Sequence, residues 1–356
     1  MKKTTQHERT IFPPLEINRN FPSNIAEGDK LFFQQFLSGK SKATKIKIFN
    51  TVCLNNELFI KKRFSPRIEV ESFGDAWQNR VYNNVGYQAK SLVKNFLRKN
   101  KKVDSALWCF DQFSTGGYFH WITEIGPRLW VAGKEVDPSF PLLIPEYFLM
   151  KWNFAGSFLK PFKRNIITFK ENEQVFVNHL TFVSQTGGVF NYQPMPIKGS
   201  TALLKDYYYD SNYPLDLNQK IYISRNKTGK RTLLNERLII ELLKAFEFKV
   251  LYAEDLTLKD QINVFSRTSC LISLHGAGLS NMVFMPPNSK IIEIRHRENN
   301  NMLNFFFTLS HTFHHDYYYV FGDSKDDVMK NEIRPEDKSI HVEIDMLKSV
   351  LETISI

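Results

Sequence analysis

The chain has 356 residues, 42% of them hydrophobic and 24% charged, with a net charge of +10, which is the composition of a folded protein long enough for two domains. No stretch approaches 18 consecutive apolar residues and residues 1–20 lack an apolar core, so the sequence predicts neither a membrane span nor a signal peptide. The basic balance suits a polyanion, an anionic membrane face or a phosphorylated small molecule, without choosing among them. Three cysteines, Cys53, Cys109 and Cys270, show no CxxC spacing and read as buried thiols of a reducing compartment, so a cytoplasmic location is expected.

Residues 1 to about 40 are polar and proline-punctuated and read as an arm or surface cover. Residues 45–49 and 57–61 read as strands around a turn at Asn55 and Asn56. Residues 84–100 have helical spacing and end in a basic turn, Lys99 to Lys102. A strand over 105–110 leads through a loop into an aromatic helix that carries His120, Glu124 and Arg128. Residues 141–144 and 165–169 read as strands flanking a helix over 147–159, and 175–183 as a pair of extended runs.

The region from Gly187 to Pro214 is the loosest by composition, and the domain boundary is expected there. Beyond it, strands at 220–224, 248–252, from Cys270 and at 291–294 alternate with helices at 235–246 and 258–265, which predicts a parallel sheet covered on both faces. The expected organisation is an N-terminal α/β domain over 1–200 and a Rossmann-like nucleotide domain over 201–325. A C-terminal strand and helix over 326–356 either packs on its own domain or crosses back to the first.

The most informative segment runs from Cys270 to Pro287. It reads as a buried strand, a glycine turn and a helix start, with Gly276 and Gly278 at positive φ and Ser280 and Asn281 as cap residues. A strand end, a glycine turn and a helix N-terminus together favour an anion, most often phosphate. The segment from Ser224 to Arg231 adds Arg225, Lys230 and Arg231 at the same sheet edge, where Arg225 can grip a diphosphate bidentately; the alternative is a solvated basic loop. Glu254 and Asp255 fall at that edge too, able to meet a ribose or base or simply to cap the next helix.

His120 and Glu124 stand four apart on one helix face, a pairing suited to general base work, with Arg128 positioned to hold Glu124 in an ion pair. A purely structural Glu–Arg bridge explains the same spacing. HxxxE lacks the second histidine of the zinc motif HExxH, no GxSxG elbow or P-loop exists, and no DxD stands at a strand exit. His311, His314 and His315 read as part of an aromatic strand in preference to a metal cluster.

The order Ser224-Arg225, Arg231, Asn235-Glu236, Glu254-Asp255, Gln261, HGAGLSN from His275 to Asn281, and Glu293 resembles the catalytic domain of glycosyltransferase family 61. Tyr118, Phe119, His120 and Trp121 with Glu124, Pro127, Arg128 and Leu129 look like its N-terminal signature, so the resemblance covers roughly residues 105–295. It implies an α/β fold of GT-B type, two Rossmann-like domains facing a central cleft. It also implies inverting transfer from a nucleotide sugar, UDP-linked by expectation, to a glycan or lipid-linked glycan, without a metal or other cofactor. On this reading Glu124, with His120 as rival, is the base, and Asp111 is a distant third. Arg225, Arg231, His275, Gly276, Ala277, Gly278, Leu279, Ser280 and Asn281 hold the donor diphosphate, and Glu254, Asp255 and Glu293 lie on the nucleoside side. The resemblance further points to bacterial capsule or lipopolysaccharide synthesis, in the cytoplasm or at the inner membrane face, with no nucleic-acid partner. The alternative is a non-catalytic basic α/β module that binds nucleic acid or another polyanion.

Overall fold

The computed structural model describes residues 5–58, 60–62, 93, 95–188, 190–227, 231–297, 304–324 and 338–355. Most of the helix expected over 84–100, and Lys230, lie outside the described residues. The protein is a mixed α/β chain that divides into two units. One comprises residues 1–14, 42–187 and 195–200; the other comprises 15–41, 188–194 and 201–356.

The first unit is built on a seven-stranded sheet. Its strands are β1 (Thr5–Phe12), β4 (Thr44–Leu54), β5 (Lys61–Lys62), β6 (Lys99–Trp108), β7 (Leu142–Pro145), β8 (Ile166–Phe169) and β9 (Glu173–Val183). The order is β1-β4-β9-β6-β7-β8, with β5 beside β4. The β9-β6-β7-β8 pairs are parallel, whereas β1, β5 and β9 all run antiparallel to β4. The structure differs from the sequence expectation in three places here. Lys99 to Lys102 open β6 against β9 instead of closing a helix, and 173–183 is one continuous strand. The helix expected over 147–159 is two, Glu146–Lys151 and Ala155–Leu159, because Trp152 takes an extended conformation between them.

The second unit carries an all-parallel sheet of β10 (Gln219–Ile223), β11 (Lys249–Leu251), β12 (Thr268–Leu274), β13 (Lys290–His296) and β14 (Asp316–Gly322). Its order is β11-β10-β12-β13-β14, so the chain reverses its direction of winding between β10 and β12. In doubly wound sheets of this order ligands bind beyond the carboxyl ends of the strands at that reversal. The core joins Tyr222, Ile272, Ile292 and Tyr318 from the strands to Ile239 and Leu243 of the helix Glu236–Ala245. Leu347 and Leu351 of the helix Ile344–Ser355 bury in this same core, and Asn235 ties the segment before that helix down through both backbone polar groups of Val342.

Residues 15–41, which include the short antiparallel strands β2 (Glu16–Asn18) and β3 (Ser38–Lys40), pack against this sheet. The amide of Ser23 donates to the carbonyl of Tyr317 at 2.8 Å, and Asn24 exchanges two hydrogen bonds with the backbone of Tyr319, closing the open edge of β14. Phe33, fully buried, packs edge-on against Phe307 and Tyr317. The loose stretch of the sequence contains a 15-residue helix, Pro194–Tyr208. Pro194 and Pro196 sit in its first turn, where no backbone donor is needed, so prolines that resemble breakers mark its beginning.

Candidate functional site

At the reversal point, β10 ends at Ile223 and runs into Ser224 and Arg225, while β12 ends at Leu274 and runs into His275 and Gly276. Ser224 is held from below: its hydroxyl and that of Tyr222 both donate to the buried carboxylate of Glu236 at 2.7 Å. The Ser224 hydroxyl also accepts the amide of Asn226, which fixes the first turn of the loop that carries Arg225. Glu236 thus braces the strand end from inside the fold, while Asn235 holds the backbone of Val342.

The glycine turn works differently from the expectation. Gly276 is extended at φ 167°, and neither it nor Gly278 is left-handed. What Gly276 supplies is room: a Cβ there would stand 2.0 Å from a terminal nitrogen of Arg225. The guanidinium thus lies across the turn. The helix begins at Ala277 with 3-10 winding, and Gly276, not Ser280 or Asn281, occupies its cap position. Leu279, Ser280 and Asn281 are wholly buried. Asn281 donates to the side chain of Gln261 at 2.9 Å, locking the turn to the helix Leu258–Phe265. Ala277 and Gly278 remain at the surface of the turn. Arg231 stands close by, since the Arg225 Nε donates to its carbonyl at 3.4 Å.

Glu293 lies on β13 beneath the turn at His275. It is fully buried, and its two oxygens accept from His275 and from the Tyr317 hydroxyl. Burial alone would raise this carboxyl, but His275 and Arg295 outweigh it and keep it below the usual carboxylate range. Glu254 and Asp255 form a short 3-10 turn after β11, and Asp255 pairs with Lys227, which also lies over the Tyr252 ring at 4.4 Å. His311 closes the helix Phe305–Thr312, and His315 Nε2 bonds the Met282 carbonyl at 2.9 Å, so these histidines belong to a helix end and a turn before β14.

The first unit contains the second cluster. Tyr118–His120 forms one α-helical turn, residues Trp121–Ile125 take wider π-helical winding, and Gly126–Glu135 resumes the α-helix. Single π-helical turns inside α-helices occur often at functional sites. His120 Nδ1 lies 2.8 Å from Glu124 Oε1, as the spacing of four predicted. Gly116 admits the His120 ring, because a Cβ there would come within 2.2 Å of it. Glu124 is 7% exposed, and its second oxygen has no hydrogen-bond partner among the described residues. Burial, against the pull of His120, raises its pKa.

Arg128 does not bond Glu124. It is fully buried and binds Asp111 and the carbonyl of Cys109 just past the end of β6. A buried guanidinium must satisfy its donors, and the strand end offers a carboxylate and a carbonyl together. Asp111 is thereby committed to structure. Tyr317, Arg295 and Glu236 are the side chains that sequence reasoning missed as partners of the site; Glu236 stood in a motif, but nothing local pointed to the other two.

Two proteins resemble stretches of this chain. The protein O-linked-mannose beta-1,4-N-acetylglucosaminyltransferase 2 of Mus musculus is 32% identical over 81 residues, 22% of this chain and 14% of its own length. The Homo sapiens protein of the same name is 30% identical over 87 residues, 24% of this chain and 15% of its own length. The chain thus matches less than a sixth of either relative. Residues 118–292, which hold both the His120–Glu124 pair and the turn at Gly276, match the family model described as Glycosyltransferase 61.

Proposed function

We propose that the protein transfers a sugar, with inversion, from a nucleoside-diphosphate donor to a hydroxyl of a glycan acceptor. The observation that carries this reading is the Arg225 guanidinium laid across Gly276 at the carboxyl edge where the parallel sheet reverses. In a single displacement the acceptor oxygen bonds the anomeric carbon as the bond to the diphosphate breaks. The diphosphate leaves with the electron pair, and the acceptor proton passes to a base. Arg225, with Arg231 nearby and the free amides at the start of the 3-10 helix, suits the charge that develops on the diphosphate.

Glu124 is the proposed base. One of its oxygens is unpartnered among the described residues, and a desolvated carboxylate, once ionised, takes a proton more readily than an exposed one. His120 orients it through the other oxygen. The names of the relatives make N-acetylglucosamine the first donor sugar to test, in the UDP-linked form. A GT-B arrangement, independence of metal, a surface polysaccharide as product and a place at the inner membrane face go with the family resemblance and form part of the same proposal.

Thermal shift of the purified chain with UDP, GDP, CMP and UDP-N-acetylglucosamine, with and without EDTA, tests it. A ligand that binds only the folded state raises stability with its concentration. The expected result is a saturable rise with UDP and its sugar, unchanged by EDTA and lost in Arg225→Ala. No shift with any of them in a folded sample overturns the reading.

A further inference from the structure

A buried chain of acid and base groups in the second unit is used neither by diphosphate recognition nor by proton abstraction. Three adjacent parallel strands each contribute a member. His275 leaves the end of β12, Glu293 lies on β13 and Tyr317 on β14. His275 Nδ1 bonds one carboxylate oxygen of Glu293, and the Tyr317 hydroxyl donates to the other. Arg295, two residues along β13 and so on the same face, donates to the Asn304 side chain at 2.6 Å and to the Tyr317 hydroxyl at 3.4 Å. Asn304 in turn donates to the carbonyl of Phe32 at 3.0 Å, and the guanidinium sits 5.5 Å from the Phe33 ring centre.

With both oxygens accepting, Glu293 is the ionised member. The imidazole must then donate from Nδ1. Burial, Arg295 and Arg231 all oppose a positive charge on the ring, and together they outweigh Glu293, so the His275 pKa lies below its ordinary value. Burial and Glu293 push the Tyr317 phenol far up, which keeps its hydroxyl a donor. Phe305 and Phe306 flank the ring at 6.4 and 5.1 Å. A neutral imidazole protonated on Nδ1 carries a lone pair on Nε2. That nitrogen makes no hydrogen bond among the described residues, and 12% of the His275 side chain is exposed. A bare Nε2 has nothing to offer a phosphate oxygen, but it accepts from a hydroxyl.

We propose that Glu293, Tyr317 and Arg295 are positioning residues that fix the proton of His275 on Nδ1, so that Nε2 accepts a hydrogen bond from a hydroxyl of the bound nucleotide sugar. The inference rests on the donor-site reading above and assigns His275 to a hydroxyl instead of the diphosphate. The hydroxyl belongs to the transferred sugar or to the ribose.

The test combines nitrogen-15 NMR of the histidine-labelled 356-residue chain with calorimetric titration of UDP and UDP-N-acetylglucosamine. The His275 signals are those lost in His275→Gln. At neutral pH they are expected to show a protonated Nδ1 and a bare Nε2. Glu293→Gln, whose amide can donate to the ring, is expected to move the proton to Nε2, and the milder Tyr317→Phe to weaken the preference while the fold persists. Either change is expected to weaken nucleotide binding about tenfold, the scale of one hydrogen bond. Weakening confined to UDP-N-acetylglucosamine identifies the sugar hydroxyl, and equal weakening of UDP identifies the ribose. A wild-type ring that is cationic or protonated on Nε2 at neutral pH overturns the proposal, as do unchanged spectra and affinities in a folded Glu293→Gln. Failure of wild-type protein to bind either nucleotide strikes the donor-site reading instead, while the nitrogen spectrum still decides the tautomer.

Discussion

A buried glutamate is joined to a histidine Nδ1 in each unit, Glu124 to His120 in the first and Glu293 to His275 in the second, and the two pairs hold their protons in opposite ways. In the first, Glu124 has, among the described residues, a single hydrogen-bond partner and a buried oxygen without one, so burial prevails and its pKa rises. In the second, Glu293 is more deeply buried, yet Tyr317, His275 and Arg295 surround it and its pKa falls. Depth of burial therefore does not decide the charge of these carboxylates. The number of donors that reach them does. A carboxylate left short of donors is able to take a proton, and one that is saturated can only orient its neighbour.

The sharpest way to break this contrast is to remove the saturated member. Glu293→Ala leaves His275 and Tyr317 without their acceptor and the buried Arg295 without its nearby negative charge, and urea unfolding is expected to show a loss of about 3–5 kcal/mol, as for other broken buried pairs. The equivalent change in the first unit, Glu124→Gln, is expected to keep the fold but lower turnover about a hundredfold or more, the usual worth of a general base.

The same Glu124 variant also sharpens the contrast through pH. A carboxyl whose folded pKa is raised keeps its proton in the folded chain after the unfolded chain has lost it, so it contributes stability at low pH that disappears as pH rises through the folded pKa. The difference in melting temperature between Glu124→Gln and wild type should therefore grow in favour of the variant from pH 4 toward neutrality. For Glu293, with its lowered pKa, the sign reverses: its stabilisation is present above the unfolded value and lost as pH falls through the folded one. A parallel drift of the two variants would refute the contrast.

Smaller effects are expected where glycine makes room for a charged or titratable side chain in each unit. Gly276→Ala asks only the end of the Arg225 side chain to move, since the backbone there is extended and accepts any residue. Its melting temperature should stay within a few degrees of wild type while UDP affinity falls about tenfold, or 1.4 kcal/mol. Gly116→Ala should swing the His120 ring off Glu124 in the same manner, visible as a change in the pH dependence of turnover with nucleotide affinity unchanged.

Much of the second unit was legible because its signals are local. Alternating apolar runs and amphipathic spacing predicted β10 to β13, and the helix Leu258–Phe265 falls where expected, with Thr257 capping the Asp260 amide. The first unit was harder to read, since β4 draws together residues 5–12 and 173–183, whose pairing no window of sequence contains. The site divides along the same line. The four-residue spacing of His120 and Glu124 is a helical neighbour relation, visible in the sequence and present in the fold. Arg128 satisfied the same rule toward Glu124 but found Asp111 and the Cys109 carbonyl, which lie 17 and 19 residues away. Tyr317 reaches Glu293 across 24 residues and a strand boundary, and no spacing rule announces such a contact.

The edge of β14 closed by Ser23 and Asn24 bears on how the chain is made. Asn24 meets Tyr319 across 295 positions, so the segment leaves the ribosome long before its seat exists. Contacts of such long range are slow to form, and an unpaired strand edge invites association while it waits. Residues 15–41 must therefore stay unseated through most of synthesis. A chain begun downstream of them is expected to accumulate as aggregate, even with every residue of the nucleotide edge intact.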